Sequence, residues 1–178
     1  MRNLIGLYSS AAQSGKTTVG KYLCMKAGYR CVPFAQTLKE MAVPMLIAMG
    51  YSEQYAHVLL QDHKEYMLPI GVTVRHLLRT LGTEWGRDCI HPEVWLHCWK
   101  ERIQGLSRVV VDDVRFPNEA ELVRSLGGTM VRIIRPGTTT EHAHSSEGGL
   151  DDYKGFDLTL VNGGDLEQLY SLIDHTLL

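Results

Sequence analysis

The sequence predicts an α/β fold in which helices cover both faces of a mostly parallel sheet. Short apolar runs, typical of buried strands, alternate along the chain with longer segments of helical spacing. A glycine-containing loop joins the first apolar run to the first helical segment, which is the order of a strand followed by its crossover helix. The length of 178 residues predicts a single domain with one substantial core.

The strands are predicted from apolar runs and from the residues that bound them. They are placed at 3–8, 30–34, 108–112, 128–134 and 157–161. Pro33 either ends the second strand or marks it as an edge strand. Helices are expected at 16–27, from Pro117 and after Asp165, because proline and aspartate favour the start of a helix.

A long helical stretch is predicted between the second and third strands, at roughly 36–105. Residues 72–81 and 94–103 show helical spacing. Pro44 is expected to kink or end a helix near Val43. We interpret residues from about 50 to 105 as a helical insertion into the sheet domain.

The composition points to small-molecule partners. The formal net charge is −2, so we expect no binding to duplex nucleic acid, which requires a basic surface. No apolar run approaches the roughly 20 residues needed to span a bilayer, and the N-terminus has too short an apolar core for a signal peptide. The four cysteines form no CxxC pair, which favours reduced thiols. A cytoplasmic location without membrane partners is therefore predicted.

The stretch SSAAQSGKTT, residues 9–18, matches most of the phosphate-loop fingerprint G-x-x-x-x-G-K-[ST]. Gly15 permits close backbone approach, Lys16 supplies a cation for the β and γ phosphates, and Thr17 supplies a hydroxyl for Mg²⁺. Ser10 departs from the fingerprint, because it stands where the first glycine is expected. The loop residues predicted to bind ATP are Ser10, Ala11, Gln13, Ser14, Gly15, Lys16, Thr17 and Thr18.

A second acidic element is predicted at the end of the third core strand, in VVVDDVRFPNE. Asp112 or Asp113 can hold Mg²⁺ or accept a proton from an attacking oxygen, and the sequence leaves open which does which. Arg115 can stabilise charge on the transferring phosphoryl group. The alternative is that both aspartates only end the strand and cap a turn.

Several segments together carry a family resemblance. They are FAQTLKE (34–40), LLRTLGTEWGRD (77–88), PEVWLHCW (92–99), DDVRFPNEAE (112–121) and HSSE (144–147). In these segments the chain resembles the deoxynucleoside monophosphate kinases of large tailed bacteriophages, within the P-loop superfamily. The resemblance implies transfer of the ATP γ-phosphoryl group to a deoxynucleoside monophosphate, with Mg²⁺ as cofactor and a mobile helical arm over the acceptor. A homodimer is compatible with the sequence.

The middle of the chain contains the residues predicted to bind the acceptor. An acceptor monophosphate is a dianion that must be held in line with the γ-phosphate, and arginine forks suit this task. Tryptophans in the same region are interpreted as packing residues. Glu84 can read a base or sugar edge or cap a bend at Gly82 to Gly86, and Phe34 can stack on a base or belong to the core. The predicted acceptor residues are Phe34, Lys39, Arg75, Arg79, Glu84 and Arg87.

The polar segment at about 135–149 is predicted to be a lid-like loop, because it contains glycine and lacks periodicity. Arg132 and Arg135 precede it and are predicted to contact the ATP phosphates or to stack on adenine. Alternatively, Arg135 only ends the strand before Pro136.

Two other functions compete with this interpretation. One is a kinase for another small acceptor, such as dephospho-coenzyme A or a metabolite alcohol, because the loop specifies the donor and not the acceptor. The other is a nucleotide-dependent switch, which the absence of an NKxD string disfavours. A dinucleotide-binding dehydrogenase is disfavoured because GxGxxG is absent.

Overall fold

A five-stranded sheet organises the first of two units into which the chain divides. The computed structural model describes residues 3–11, 13–138 and 149–178. The first unit comprises Met1–Pro33 with Ile103–Leu178, and the second comprises Phe34–Arg102.

The strands of the first unit are β1 (Leu4–Tyr8), β2 (Arg30–Cys31), β3 (Val109–Val111), β4 (Thr129–Ile134) and β5 (Leu158–Val161). Their order across the sheet is β2-β3-β1-β4-β5, and every neighbouring pair is parallel. The predicted parallel sheet is confirmed. Because all the carboxyl ends lie at one edge, the segments that follow β1, β3, β4 and β5 meet there.

The helices are α1 (Lys16–Ala27), α2 (Gln36–Ala48), α3 (Glu53–Asp62), α4 (Val74–Thr80), a π-helix (Leu81–Ile90), α5 (Val94–Ile103), α6 (Pro117–Ser125) and α7 (Leu166–Thr176). The predicted bounds of α1 are confirmed, and α6 begins at the predicted Pro117. Asp165 caps α7 as predicted, since its side chain accepts a hydrogen bond from the Gln168 N–H at 2.9 Å. Among the described residues, no helix is long and apolar enough to cross a bilayer.

Helices cover both faces of the sheet, as predicted. Alternate residues of β1 and β4 pack in one buried cluster with α1 and α7, through Ile5, Leu7, Val131, Ile133, Val19, Leu23, Leu169 and Ile173. Gly6 and Met130 are register partners on the other face. A Cβ atom at Gly6 would lie 2.6 Å from Met130 Sδ and 3.2 Å from Val123 Cγ1 of α6. Glycine at this position lets α6 pack close to the sheet, completing three layers.

The second unit has its own apolar core, formed by α2, α3 and α4. Its buried members include Ala42, Val43, Leu46, Ala56, Leu59, Leu60 and Val74. A helix end near Val43, one of the two effects expected of Pro44, is wrong, because α2 continues through Pro44 to Ala48. A kink there stays a prediction. Proline removes one backbone donor from the helix, and burial of Ala42, Val43 and Leu46 stabilises the helix despite that loss.

The predicted bend at Gly82 to Gly86 is also wrong, because the segment is a π-helix that continues directly from α4. A tertiary contact with Trp95 of α5 favours this geometry. The Trp95 indole Nε1 donates to Gly82 O at 2.7 Å, and a Cβ atom at Gly86 would lie 2.5 Å from the Trp95 ring. Trp95 and Trp99 are buried, as the packing interpretation predicts, whereas Trp85 is exposed.

Candidate active site

The loop between β1 and α1 has the geometry of a phosphate-binding turn. Gly15 stands immediately before α1 with φ 102° and ψ 5°, a conformation that favours glycine. Its carbonyl accepts the Val19 N–H at 2.9 Å, which begins the helix. The free N–H groups of the first helical turn therefore lie at the loop, where they favour an anion.

Serine at position 10 is compatible with this loop. Within the described part of the chain, the only positive φ outside glycine is at Gln13, with φ 55°. Ser10 therefore adopts an ordinary backbone conformation that any residue tolerates. The neighbouring Ser9 hydroxyl accepts the Ala11 N–H at 3.3 Å and tightens the start of the loop. The first glycine of the fingerprint is not needed for this turn.

Lys16 is the central cation of the site. Its Nζ donates to Ser9 O at 3.1 Å. The pKa of Lys16 is lowered from 10.5 to about 8, first by burial and then by the charge of Arg115, while Asp112 and Asp113 act in the opposite direction. The structure thus brings together all four residues predicted to be catalytic, Lys16, Asp112, Asp113 and Arg115.

A cavity of about 470 Å³ opens beside the loop. Its lining contains six of the predicted ATP ligands from the loop, together with Arg135, which follows β4 and contributes a positive charge. Leu166 and Leu169 supply an apolar wall. The lining residues are Gln13, Ser14, Gly15, Lys16, Thr17, Thr18, Arg135, Asn162, Gly164, Asp165, Leu166 and Leu169. Ser10 and Ala11 are not among them.

The aspartate that ends β3 lies against the beginning of α1. A Cβ atom built on Gly20 would be 3.6 Å from Asp112 Cβ. Gly20 is three residues beyond Thr17, so both belong to one face of α1. The thiol of Cys31, at the end of β2, has its pKa raised by burial and then by the charge of Asp112. Asp112 therefore packs against the face of α1 to which Thr17 belongs.

Glu119 is a site residue that the sequence analysis missed. It is 2% exposed, and its Oε2 accepts the N–H of Arg115 at 2.7 Å and that of Phe116 at 3.2 Å. This buried carboxylate fixes the backbone that carries Arg115. The signal was present in the sequence as a glutamate two residues after Pro117, a usual capping position at a helix start.

Arg132 contacts protein side chains on the face of the sheet opposite α1. Its Nη2 lies 3.8 Å from Asp151 Oδ1, and its Cζ lies 5.6 Å from the centre of the Phe156 ring. Tyr8, its register partner, donates from Oη to the same Asp151 oxygen at 2.6 Å. Arg132 does not line the cavity, so its predicted role in ATP binding stays a prediction.

Most of the predicted lid, residues 139–148 with the HSSE segment, lies outside the described residues.

The predicted acceptor residues all belong to the second unit. Arg87 is half-buried, and its Nη1 donates to Gly82 O at 3.4 Å. Arg79 Nη2 lies 3.5 Å from His76 Nδ1, and Glu84 is exposed on the π-helix.

Three further candidates already have protein partners. Arg75 forms an exposed ion pair with Glu65. Lys39 Nζ donates to Gln61 Oε1 at 2.6 Å. Phe34 is 3% exposed and packs on Trp99 with ring centroids 4.6 Å apart, which agrees with its interpretation as a core residue.

The parallel sheet, the loop between β1 and α1, and the carboxylates after β3 define a nucleoside triphosphate-binding protein of the P-loop class. A family model described as deoxynucleotide monophosphate kinase matches residues 45–173. Because this match covers more than half of the chain, the protein belongs to the deoxynucleotide monophosphate kinase family. The predicted family resemblance is confirmed.

Individual relatives agree with this assignment. A protein of Acanthamoeba polyphaga mimivirus, described as a deoxynucleotide monophosphate kinase, is 34% identical over 96% of this chain and 93% of its own length. The deoxynucleotide monophosphate kinase of Enterobacteria phage T4 is 31% identical over 59% of this chain, but that match spans 45% of the phage protein. Among solved structures, dephospho-CoA kinase from Campylobacter jejuni has a TM-score of 0.50, with 14% identity over 98% of this chain and 95% of that one. This likeness supports the fold alone.

Proposed function

We propose that the protein transfers the γ-phosphoryl group of ATP to a deoxynucleoside monophosphate, giving the diphosphate and ADP. The observation that carries this proposal is the family match over residues 45–173. That match excludes the loop at 9–18, so the loop geometry supports a triphosphate donor independently. The loop at 9–18 therefore adds support for donor chemistry that does not depend on the family match.

The donor side of the reaction is assigned to the first unit. Loop N–H groups and Lys16 bind the β and γ phosphates. An oxygen of the acceptor phosphate attacks the γ phosphorus, the bond to the β–γ bridging oxygen breaks, and that oxygen leaves on ADP. Lys16 and Arg115 stabilise the charge that develops, because their cations are fixed beside the loop before the reaction begins.

The residues at this site fit a Mg²⁺ ion. Thr17 offers a hydroxyl and Asp112 a carboxylate, both hard oxygen donors at the start of α1. In the described ranges, no cluster of three or more His, Cys, Asp or Glu side chains can hold a metal by itself. This suits an ion that binds through one or two protein oxygens and the phosphates of the nucleotide, where it neutralises phosphate charge.

The acceptor side is assigned to the second unit, within the insertion at about 50–105. We place Arg87 first among the phosphate ligands because it is half-buried, and Arg79 second because its buried Nε has no hydrogen-bond partner among the described residues. Arg75 ranks lower because Glu65 already neutralises it. We also propose a cytoplasmic location, without nucleic-acid partners, where free nucleotides are available.

A panel of acceptors tests the proposed reaction. ADP release at fixed ATP is followed with the four deoxynucleoside monophosphates, their ribose counterparts and dephospho-coenzyme A. We expect at least one deoxynucleoside monophosphate to stimulate ADP release strongly. Stimulation by dephospho-coenzyme A alone would assign the protein to another kinase class. Slow release that no acceptor changes would indicate a nucleotide-dependent switch.

The lowered pKa of Lys16 predicts proton uptake when ATP binds. Near pH 8 about half of the Lys16 side chains are neutral in the free protein, and the phosphates raise this pKa again on binding. Calorimetry in buffers of different ionisation enthalpy should show uptake of about half a proton at pH 8 and about a tenth at pH 7. Affinity for ATP should fall as the pH rises above 8.

The matched control is Lys16→Met, in which the pH-dependent uptake should disappear. Equal uptake in this variant, or none in the wild type at pH 8, contradicts the titration of Lys16.

A further inference from the structure

One loop carbonyl is held by a side chain from the far end of the sheet. Asn162 follows β5 directly and is 7% exposed. Its backbone N–H donates to Ile134 O at 2.8 Å, which fixes it beside the end of β4. Its side-chain Nδ2 donates to Ser14 O at 2.9 Å. The sequence analysis assigned no role to this residue.

The hydrogen bond to Ser14 O fixes the orientation of a whole peptide group. The described chain contains no cis peptide bond, and in a trans peptide the carbonyl and the following N–H point in opposite directions. With the Ser14 carbonyl turned toward Asn162, the Gly15 N–H is turned away from it. Ser14 itself is 2% exposed, so its carbonyl has little access to water as an alternative donor.

Gly15 and Asn162 also fit each other sterically. A Cβ atom at Gly15 would lie 2.7 Å from Asn162 Nδ2. Glycine is therefore required here for two reasons, the positive φ and the close approach of the amide. This close approach lets the Asn162 amide reach the Ser14–Gly15 peptide.

A neighbouring carbonyl is held in the same way. Arg135, after β4, donates from Nη1 to Gln13 O at 3.2 Å. Two consecutive loop carbonyls, those of Gln13 and Ser14, thus accept hydrogen bonds from side chains that follow adjacent strands. A carbonyl oxygen that accepts a hydrogen bond from the protein presents less negative charge to a phosphate, so these two bonds favour an anion at the loop.

We propose that Asn162 is a positioning residue for phosphate binding, which holds the Ser14–Gly15 peptide so that the Gly15 N–H faces the phosphates of the donor. This inference rests on the proposed binding of ATP at the loop. Asn162 acts through the backbone and not through the adenine base. A substitution of Asn162 should therefore weaken the binding of every ligand that carries the phosphate chain and of no ligand that lacks it.

Two substitutions test this role. Asn162→Leu keeps the branched shape and removes the donor, and should weaken ATP binding about 5- to 15-fold, the usual effect of losing one such hydrogen bond. Asn162→Asp keeps the shape but places an acceptor opposite the Ser14 carbonyl oxygen. It should weaken ATP binding more than the leucine variant does. Val161→Ala, at the exposed neighbouring position of β5, is the control and should change ATP affinity less than twofold.

The deciding measurement compares three ligands by calorimetry and competition: ATP, tripolyphosphate and adenosine. We expect Asn162→Leu to weaken ATP and tripolyphosphate by the same factor and to leave the inhibition constant of adenosine unchanged. An equal loss for adenosine would overturn the proposal, because it would indicate a base contact or a general structural defect. Unchanged tripolyphosphate affinity would overturn it as well. These measurements use no acceptor, so their outcome is independent of the deoxynucleotide assay.

Discussion

The variant Lys16→Ala is expected to lose at least about a hundredfold in kcat while it remains folded. The substitution removes a fixed cation from the transferring phosphoryl group, where such charge stabilisation is worth several kcal/mol. The fold should survive because burial disfavours the charged ammonium in the free protein, as its lowered pKa indicates. At neutral pH the charged side chain therefore costs folding free energy, so alanine should not lower the thermal midpoint appreciably.

The measurement pairs steady-state kinetics with thermal unfolding. Lys21→Ala is the matched control, because Lys21 is an exposed lysine of the same helix, and it should stay within about twofold of the wild type. Near-normal turnover of a folded Lys16→Ala protein would refute the assignment of the loop at 9–18 as the donor site.

The variant Arg87→Gln is expected to raise the KM for the acceptor about 10- to 150-fold. A charge-assisted hydrogen bond to phosphate is worth roughly 1.5 to 3 kcal/mol, and glutamine removes the charge while it keeps a polar group. Affinity for ATP should hardly change, because the donor residues belong to the first unit. A raised acceptor KM with an unchanged ATP affinity distinguishes lost acceptor binding from general damage, which would weaken both substrates.

The acceptor is titrated at saturating ATP, and ATP binding is measured separately by calorimetry. Lys100→Gln, which removes an exposed cation of α5, should leave both constants within about twofold. If ATP affinity falls as far as the acceptor KM rises, or if neither changes, Arg87 is not the acceptor clamp. Arg79 is then the next candidate, ahead of Arg75.

The parts of the fold that the sequence predicted are those encoded by neighbouring residues. Five apolar runs became five parallel strands, and α1 has the predicted bounds because Gly15 and Gly28 flank it with left-handed conformations. The grouping of Lys16, Asp112 and Arg115 followed from topology, since the carboxyl ends of parallel strands meet at one edge.

The features that were missed depend on partners distant in the chain. The π-helix is favoured by Trp95, which approaches Gly86 and bonds Gly82 from a later helix. Asn162 bonds a carbonyl 148 positions away. Its only sequence signal was a polar residue directly after the last strand. The helix end expected near Pro44 is absent because burial of α2 outweighs one lost hydrogen bond.

The π-helix makes the acceptor segment sensitive to changes in its length. Its hydrogen bonds join residues five apart, so Arg87 lies over Gly82, whose carbonyl it reaches. Each residue of an α-helix advances the chain by about 100°. After removal of one residue between these two positions, Arg87 would stay over Gly82 only if the turn converted to α-helical spacing, in which residues four apart share a face. A change in length is therefore accommodated only by a change of helix type, whereas the exposed side chains of Glu84 and Trp85 can be replaced without one.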